Sequence, residues 1–130
     1  MKKMNLMDKY PVNALEIKKE ETTFKSVDEI LEDLKSKIDA HPVAKYIATF
    51  DHYAHTTNME DGVMAKDIFV AKNIICCFGK QLPNPFLMAV KPRSIGVVEM
   101  EGKFVVSFMD APNPQAHEAM VGWVESIINK

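Results

Sequence analysis

Imidazole is the side chain best suited to metal binding and proton transfer near neutral pH, and the chain carries four histidines. His52 and His55 stand just after Asp51, at a spacing that suits one face of a helical turn or the end of a strand. With Asp51 and His117 as further donors, they form the one imidazole cluster that the sequence offers. Three histidines, or two with a carboxylate, hold zinc or copper when they converge at about 2.0–2.2 Å from the ion. His52 and His55 are therefore the candidate metal ligands, and zinc or copper the candidate ion. The plainer alternative gives His52 a backbone hydrogen bond at the sheet end and leaves His55 in solvent. A general-base role for His52, oriented by Asp51, meets an obstacle, because adjacent strand residues face opposite ways.

Two other groups could do chemistry. Cys76 and Cys77 are the only cysteines and are adjacent. A bridge between them would need a strained ring, so both are expected to be reduced. A reactive thiolate needs a lowered pKa and solvent access, and the apolar run Ile74 to Phe78 promises the reverse. Cys77 beside His52 on a neighbouring strand would make a nucleophile–base pair, a register the sequence does not specify. Lys80, Lys91 and Arg93 frame a proline-rich loop and could grip a small anion with Asn84 as a donor, or be ordinary solvated charge. The nine methionines suit core filling better than copper(I) binding. No phosphate loop, dinucleotide fingerprint, nucleophile elbow or zinc-protease helix occurs.

These groups must be positioned by a chain of 130 residues with 47% hydrophobic and 26% charged side chains, the mix of one ordinary globular domain. Its formal net charge of -2 supplies no basic field for nucleic acid or an anionic membrane. Met1 to Val12 lacks a signal peptide's apolar core, and no run approaches the ~20 apolar residues of a membrane span. The expected location is the cytoplasm.

Residues 1–13 are expected to form a flexible lead-in, with a single domain over 14–130. Ala14 to Phe24 suggests a polar edge strand. Ser26 and Glu29 match a capping box, and Val27, Ile30, Leu31, Leu34 and Ile38 follow at helical spacing. His41-Pro42 ends that helix. Tyr46 to Phe50 predicts a buried strand, Tyr53 to Lys66 a loop with one helical turn at most, and Asn73 to Phe78 a central strand. Ile95 to Met100 and Phe104 to Met109 flank Glu101-Gly102, a hairpin in which glycine supplies the positive φ. Asn113 caps and Pro114 opens a last helix, with Trp123 on its apolar stripe as a core anchor. The expected class is α+β: a single antiparallel sheet, in chain order β-α-β-β-β-β-α, with both helices on one face. Two helices cover only one face of strands that are apolar on both, so a homodimer is expected to bury the other.

Tyr46-Ile47-Ala48-Thr49-Phe50-Asp51-His52 resembles the strand ending in Asp-His of the bacterial and archaeal family called domain of unknown function 302. Phe78-Gly79, Leu87-Met88 and Pro92 resemble its next segment, and Gly96 to Asp110 its closing hairpin. Lys80-Gln81 depart from the Asn-Pro that the family has there, and the loop from His52 to Asn73 is longer. The resemblance spans most of residues 20–128 and implies a fold like that of the TATA-binding protein, commonly dimeric, with no settled activity. The expected function is a small non-catalytic domain that binds a small ligand or a partner protein. Its expected site lies between the Asp51–His55 strand end and the Phe78–Pro92 loop, using Asp51, His52, Phe78, Gly79, Lys80 and Asn84. The alternative is a metal-binding or redox accessory protein using His52 and His55. No catalytic residue, nucleic acid or membrane is expected.

Overall fold

At Ser26 the backbone is extended, and its hydroxyl accepts the Glu29 N–H at 3.1 Å. The Glu29 carboxylate reaches back past the cap to the Lys25 N–H at 2.9 Å, one residue before the Ser26 N–H that a capping box would use. Helix α1, Val27–Ala40, then buries Val27, Ile30, Leu31, Leu34 and Ile38 and stops at extended His41. Helix α3, Pro114–Glu125, starts with the Asn113 side chain accepting the Gln115 and Ala116 N–H groups, and buries Ala116, Met120 and Val124. Both termini stand where the sequence places them.

The computed structural model describes residues 1–128. Its strands are β1 (Lys2–Leu6), β2 (Tyr10–Lys18), β3 (Ala44–Asp51), β4 (Ile68–Phe78), β5 (Arg93–Met100) and β6 (Lys103–Met109). They form one antiparallel six-stranded sheet in the order β1-β2-β6-β5-β4-β3. A short helix α2, His52–Thr57, follows β3 directly. The class is α+β, with one strand and one short helix more than the sequence pattern predicts.

Three corrections have physical reasons. Residues 2–6 are not a lead-in: they pair with residues 10–14 of β2. The turn between them passes through Met7 and Asp8 at φ 56° and 60°, so a left-handed turn forms without the glycine that usually announces one. β2 is not an edge strand, because β1 takes one side and β6 the other; its Asn13, Ala14, Leu15 and Ile17 are buried. β3 is not buried: it is the opposite edge, and seven of its eight residues are exposed or half-buried.

Pairing assigns every strand residue to a face. Leu15, Val106 and Val97 pair in one row, and these side chains join Ile74, Ile95, Phe104 and the stripes of α1 and α3 in a single core. The neighbouring row, Glu16, Val105, Val98 and Ala71, stands on the other face. So does the row Ala14, Ser107, Gly96, Asn73 and Phe50. Neither α1 nor α3 covers that face. Among the described residues, no helix is long and apolar enough to cross a membrane.

Candidate functional site

Asp51 ends β3 and caps α2, its carboxylate accepting the Ala54 N–H at 2.9 Å. That bond commits it to the helix rather than to orienting His52. The His52 ring instead has its Nδ1 3.3 Å from the Thr56 hydroxyl and leans on Phe50, ring centroids 5.3 Å apart. His55 packs on Phe50 at 5.2 Å and lies 6.1 Å from His52. The structure therefore brings these two imidazoles together, on the edge where Phe50 reaches the open face.

His117 is not with them. Its Nδ1 accepts the Ala111 N–H at 3.3 Å, and its ring meets Phe108 at 5.9 Å. Among the described residues there is no group of three His, Cys, Asp or Glu side chains placed to hold a metal ion.

The other half of the expected site is elsewhere. Asp51 pairs with Lys72, whereas Phe78 pairs with Ala44 at the far end of β3. Six steps along β4, at about 3.4 Å each, separate the two ends by about 20 Å. Phe78 points to the helices, stacked on Trp123 at 5.5 Å and edge-on to His41 at 5.6 Å. Gly79, at φ +85°, donates its N–H to the Val43 carbonyl at 2.7 Å and turns the chain out of the sheet. Asn84 spends its side-chain oxygen on the Phe86 N–H, capping a short 3₁₀ turn over Pro85–Ala89. Lys91 closes the loop on the Gln81 carbonyl at 3.0 Å. Arg93 donates to the Met109 and Asp110 carbonyls, and its Nε is buried without a partner among the described residues. Of the proposed anion grip only exposed Lys80 has no role in holding the loop or its neighbours. Asn84, Lys91 and Arg93 fasten the loop and its neighbours.

The two thiols are free and differ sharply. Cys76 lies in the core, and burial first, then the neighbouring Cys77, pushes it up to about 11, so it is protonated and inert. Cys77 faces the open side opposite Lys45, at the other end of β3 from His52. The register rules out the nucleophile–base pair.

Sequence patterning missed a cleft of about 290 Å³ where the start of α1 meets β4 and α2, lined in part by Asp28, Asp51, Tyr53, Phe69, Lys72 and Glu99. Lys72 donates to Asp28 at 2.8 Å, a bond that raises the lysine's pKa and outweighs the opposing burial. Glu99 is held by Lys19 at 2.7 Å. The signal was Lys72 itself, a charge in the core-facing register of β4. Its partners close it into ion pairs, and raised basicity is the reverse of what a nucleophilic amine needs.

No curated protein and no solved structure matches the chain significantly. The resemblance to the domain of unknown function 302 family is overturned, because the family model that matches is a different one. The segments that carried the resemblance are short strand ends and one tight hairpin, which many antiparallel sheets share. On the match of its residues 1–129, the chain belongs to the family of unknown function DUF6858.

Proposed function

We propose that this is a non-catalytic binding domain that acts through the open face of its sheet, and that a second copy of the chain occupies that face. One observation carries the reading: the open rows hold apolar side chains, among them Val98, Val105 and Ile75, on a face that neither long helix covers. Partly exposed apolar side chains on a sheet face of a small protein, here interleaved with Asn73, Ser94 and Ser107, mark an interaction site. Six strands at about 4.8 Å spacing and about 20 Å length give a footprint of roughly 600 Å². A standard stable interface takes about 800 Å² per partner, so the face with its flanking loops has the right size. Two free thiols agree with a reducing compartment such as the cytoplasm.

Sedimentation equilibrium over a range of chain concentrations tests this. A dimer that Val105→Glu converts to a folded monomer is expected. A wild-type monomer at every concentration overturns the reading.

A second reading, a metal-binding accessory role for His52 and His55, rests on their ring separation of 6.1 Å. Two imidazoles on one zinc, with Zn–N of about 2.0 Å, have centroids about 5 Å apart, within reach of a small rotamer change. Calorimetric titration with zinc tests it: binding that survives His52→Ala with His55→Ala, or no binding at all, removes this reading.

A further inference from the structure

Two connections at one end of the sheet hold apolar side chains out in solvent. The register defines that end: β1 ends at Leu6 and β2 begins at Tyr10, while Met109 pairs with Val12, Cys76 with Arg93 and Phe78 with Ala44. The connections there are the β1–β2 turn over residues 7–9 and the β4–β5 loop over residues 79–92. Met7, 75% exposed, stands in the turn. Leu82, Phe86 and Met88 stand in the loop, with Phe86 84% exposed. The strand order sets the two connections three strand spacings apart, about 14 Å.

Neither tip is loose. Asn84 caps the turn that carries Phe86, and Lys91 closes the loop on the Gln81 carbonyl. In the β1–β2 turn the Asp8 N–H donates to the Asn5 carbonyl at 3.2 Å and the Lys9 N–H to the Leu6 carbonyl at 3.1 Å.

Charge sets this end apart. Residues 68–98 contain no Asp or Glu, so Lys80, Lys91 and Arg93 have no carboxylate beside them in the chain. Lys45, at the start of β3, and Lys9, in the turn, add to them. Against these stand Asp8, Asp39 and Asp110, and Lys3 already holds Asp110 at 2.9 Å. The formal charge of -2 on the whole chain hides this local excess. The opposite end also exposes apolar groups, Phe50, Met59, Val63 and Phe69. There, however, residues 51–67 carry Asp51, Glu60, Asp61 and Asp67 against Lys66.

An apolar tip with cations at its base suits an anionic bilayer, because the tip enters the acyl boundary while the lysines stay among the headgroups. A lipid surface takes both tips at once, whereas a protein partner would need two pockets at the same separation.

We propose that this end of the sheet docks on an anionic lipid surface, with Phe86, Leu82, Met88 and Met7 entering the headgroup boundary and Lys80, Lys91 and Lys45 facing the headgroups. This docking goes beyond the open-face pairing and requires no second copy.

Co-sedimentation of the whole chain with vesicles tests it, comparing phosphatidylcholine alone with equal parts of phosphatidylcholine and phosphatidylserine. Binding to the mixed vesicles that weakens at high salt is expected, with affinity for the neutral vesicles at least ~10-fold lower. Phe86→Ser is expected to lower affinity for the mixed vesicles at least ~10-fold, and Lys80→Glu to lower it several-fold. Val63→Ser, at an 88% exposed position of the opposite end, is expected to leave it unchanged. All three side chains are exposed, and circular dichroism verifies that each variant is folded. No binding to the mixed vesicles, or equal affinity for the two kinds, overturns the inference. Binding that Val63→Ser abolishes and Phe86→Ser does not would assign the docking to the other end. Binding that salt abolishes and Phe86→Ser leaves intact would mean adsorption without insertion, and the inference fails.

Discussion

Cys76 and Cys77 show how one step along a strand sets chemistry. The Cys76 thiol is enclosed by the core and held at about 11, whereas Cys77 is half-buried on the open face. A maleimide is expected to label Cys77 in the folded protein and Cys76 only after unfolding; equal labelling rates would show that the core around β4 opens freely. The pKa also has a stability consequence. An acid whose pKa is raised on folding costs nothing below its unfolded value of 9.0 and destabilises the fold as pH rises from there towards about 11. Over that interval stability is expected to fall by about 2–3 kcal/mol, a loss that Cys76→Val abolishes in urea titrations at pH 8 and pH 11. The histidines were legible as residues but not as partners. Their sequence spacing is local, so it survives in α2, whereas whether His117 or Cys77 joins them depends on strand register, which no short motif encodes.

At the scale of elements, capping and periodicity carried over well because both are written within a few residues. Ser26, Glu29, Asn113 and Pro114 each act within one helical turn of their own position, and Gly102 takes the positive φ of 75° that its hairpin needs. Ser26→Ala is expected to cost about 1 kcal/mol, read as a lowered urea midpoint with an unchanged slope. The β1 strand was not legible, since its three polar side chains in five disguise the alternation and its turn lacks glycine. It is pinned instead by long-range polar contacts. Asp110, past the end of β6, accepts from Lys3 on β1 at 2.9 Å and from Asn13 on β2 at 2.8 Å. Those two bonds, Lys3 first, hold its carboxyl below the usual carboxylate range. A depressed folded pKa gives stability that is present above the unfolded value and lost as pH falls through the folded one. Hydrogen exchange at Lys2–Leu6 is therefore expected to speed up in Asp110→Ala at neutral pH and in the wild type below about pH 4, beyond the intrinsic acid change, while the core strands stay protected. Unchanged protection of β1 would mean that its backbone ladder alone holds it.

For the whole molecule, the sheet's two faces separate folding from association, and neighbouring valines on β5 sample both. Val97 is fully buried and pairs with Val106 and Lys72; Val98, the next residue, pairs with Val105 and Ala71 on the open face. A carboxylate at position 97 would be enclosed in the core beside a Lys72 already held by Asp28, and its desolvation costs several kcal/mol, a large part of a small domain's total stability. The same group at position 98 stays hydrated in a monomer and is enclosed only when a partner closes over it. Val97→Asp is thus expected to abolish cooperative unfolding, while Val98→Asp keeps a folded chain and weakens self-association by at least ~100-fold, the equivalent of about 3 kcal/mol. Circular dichroism melts and sedimentation at matched concentrations read the two effects separately. Val98→Asp that unfolds like Val97→Asp would mean that the open face belongs to the fold of the single chain. Val98→Asp that is folded and still dimeric would mean that the copies meet on some other surface, and would remove the proposed interface while leaving the fold untouched.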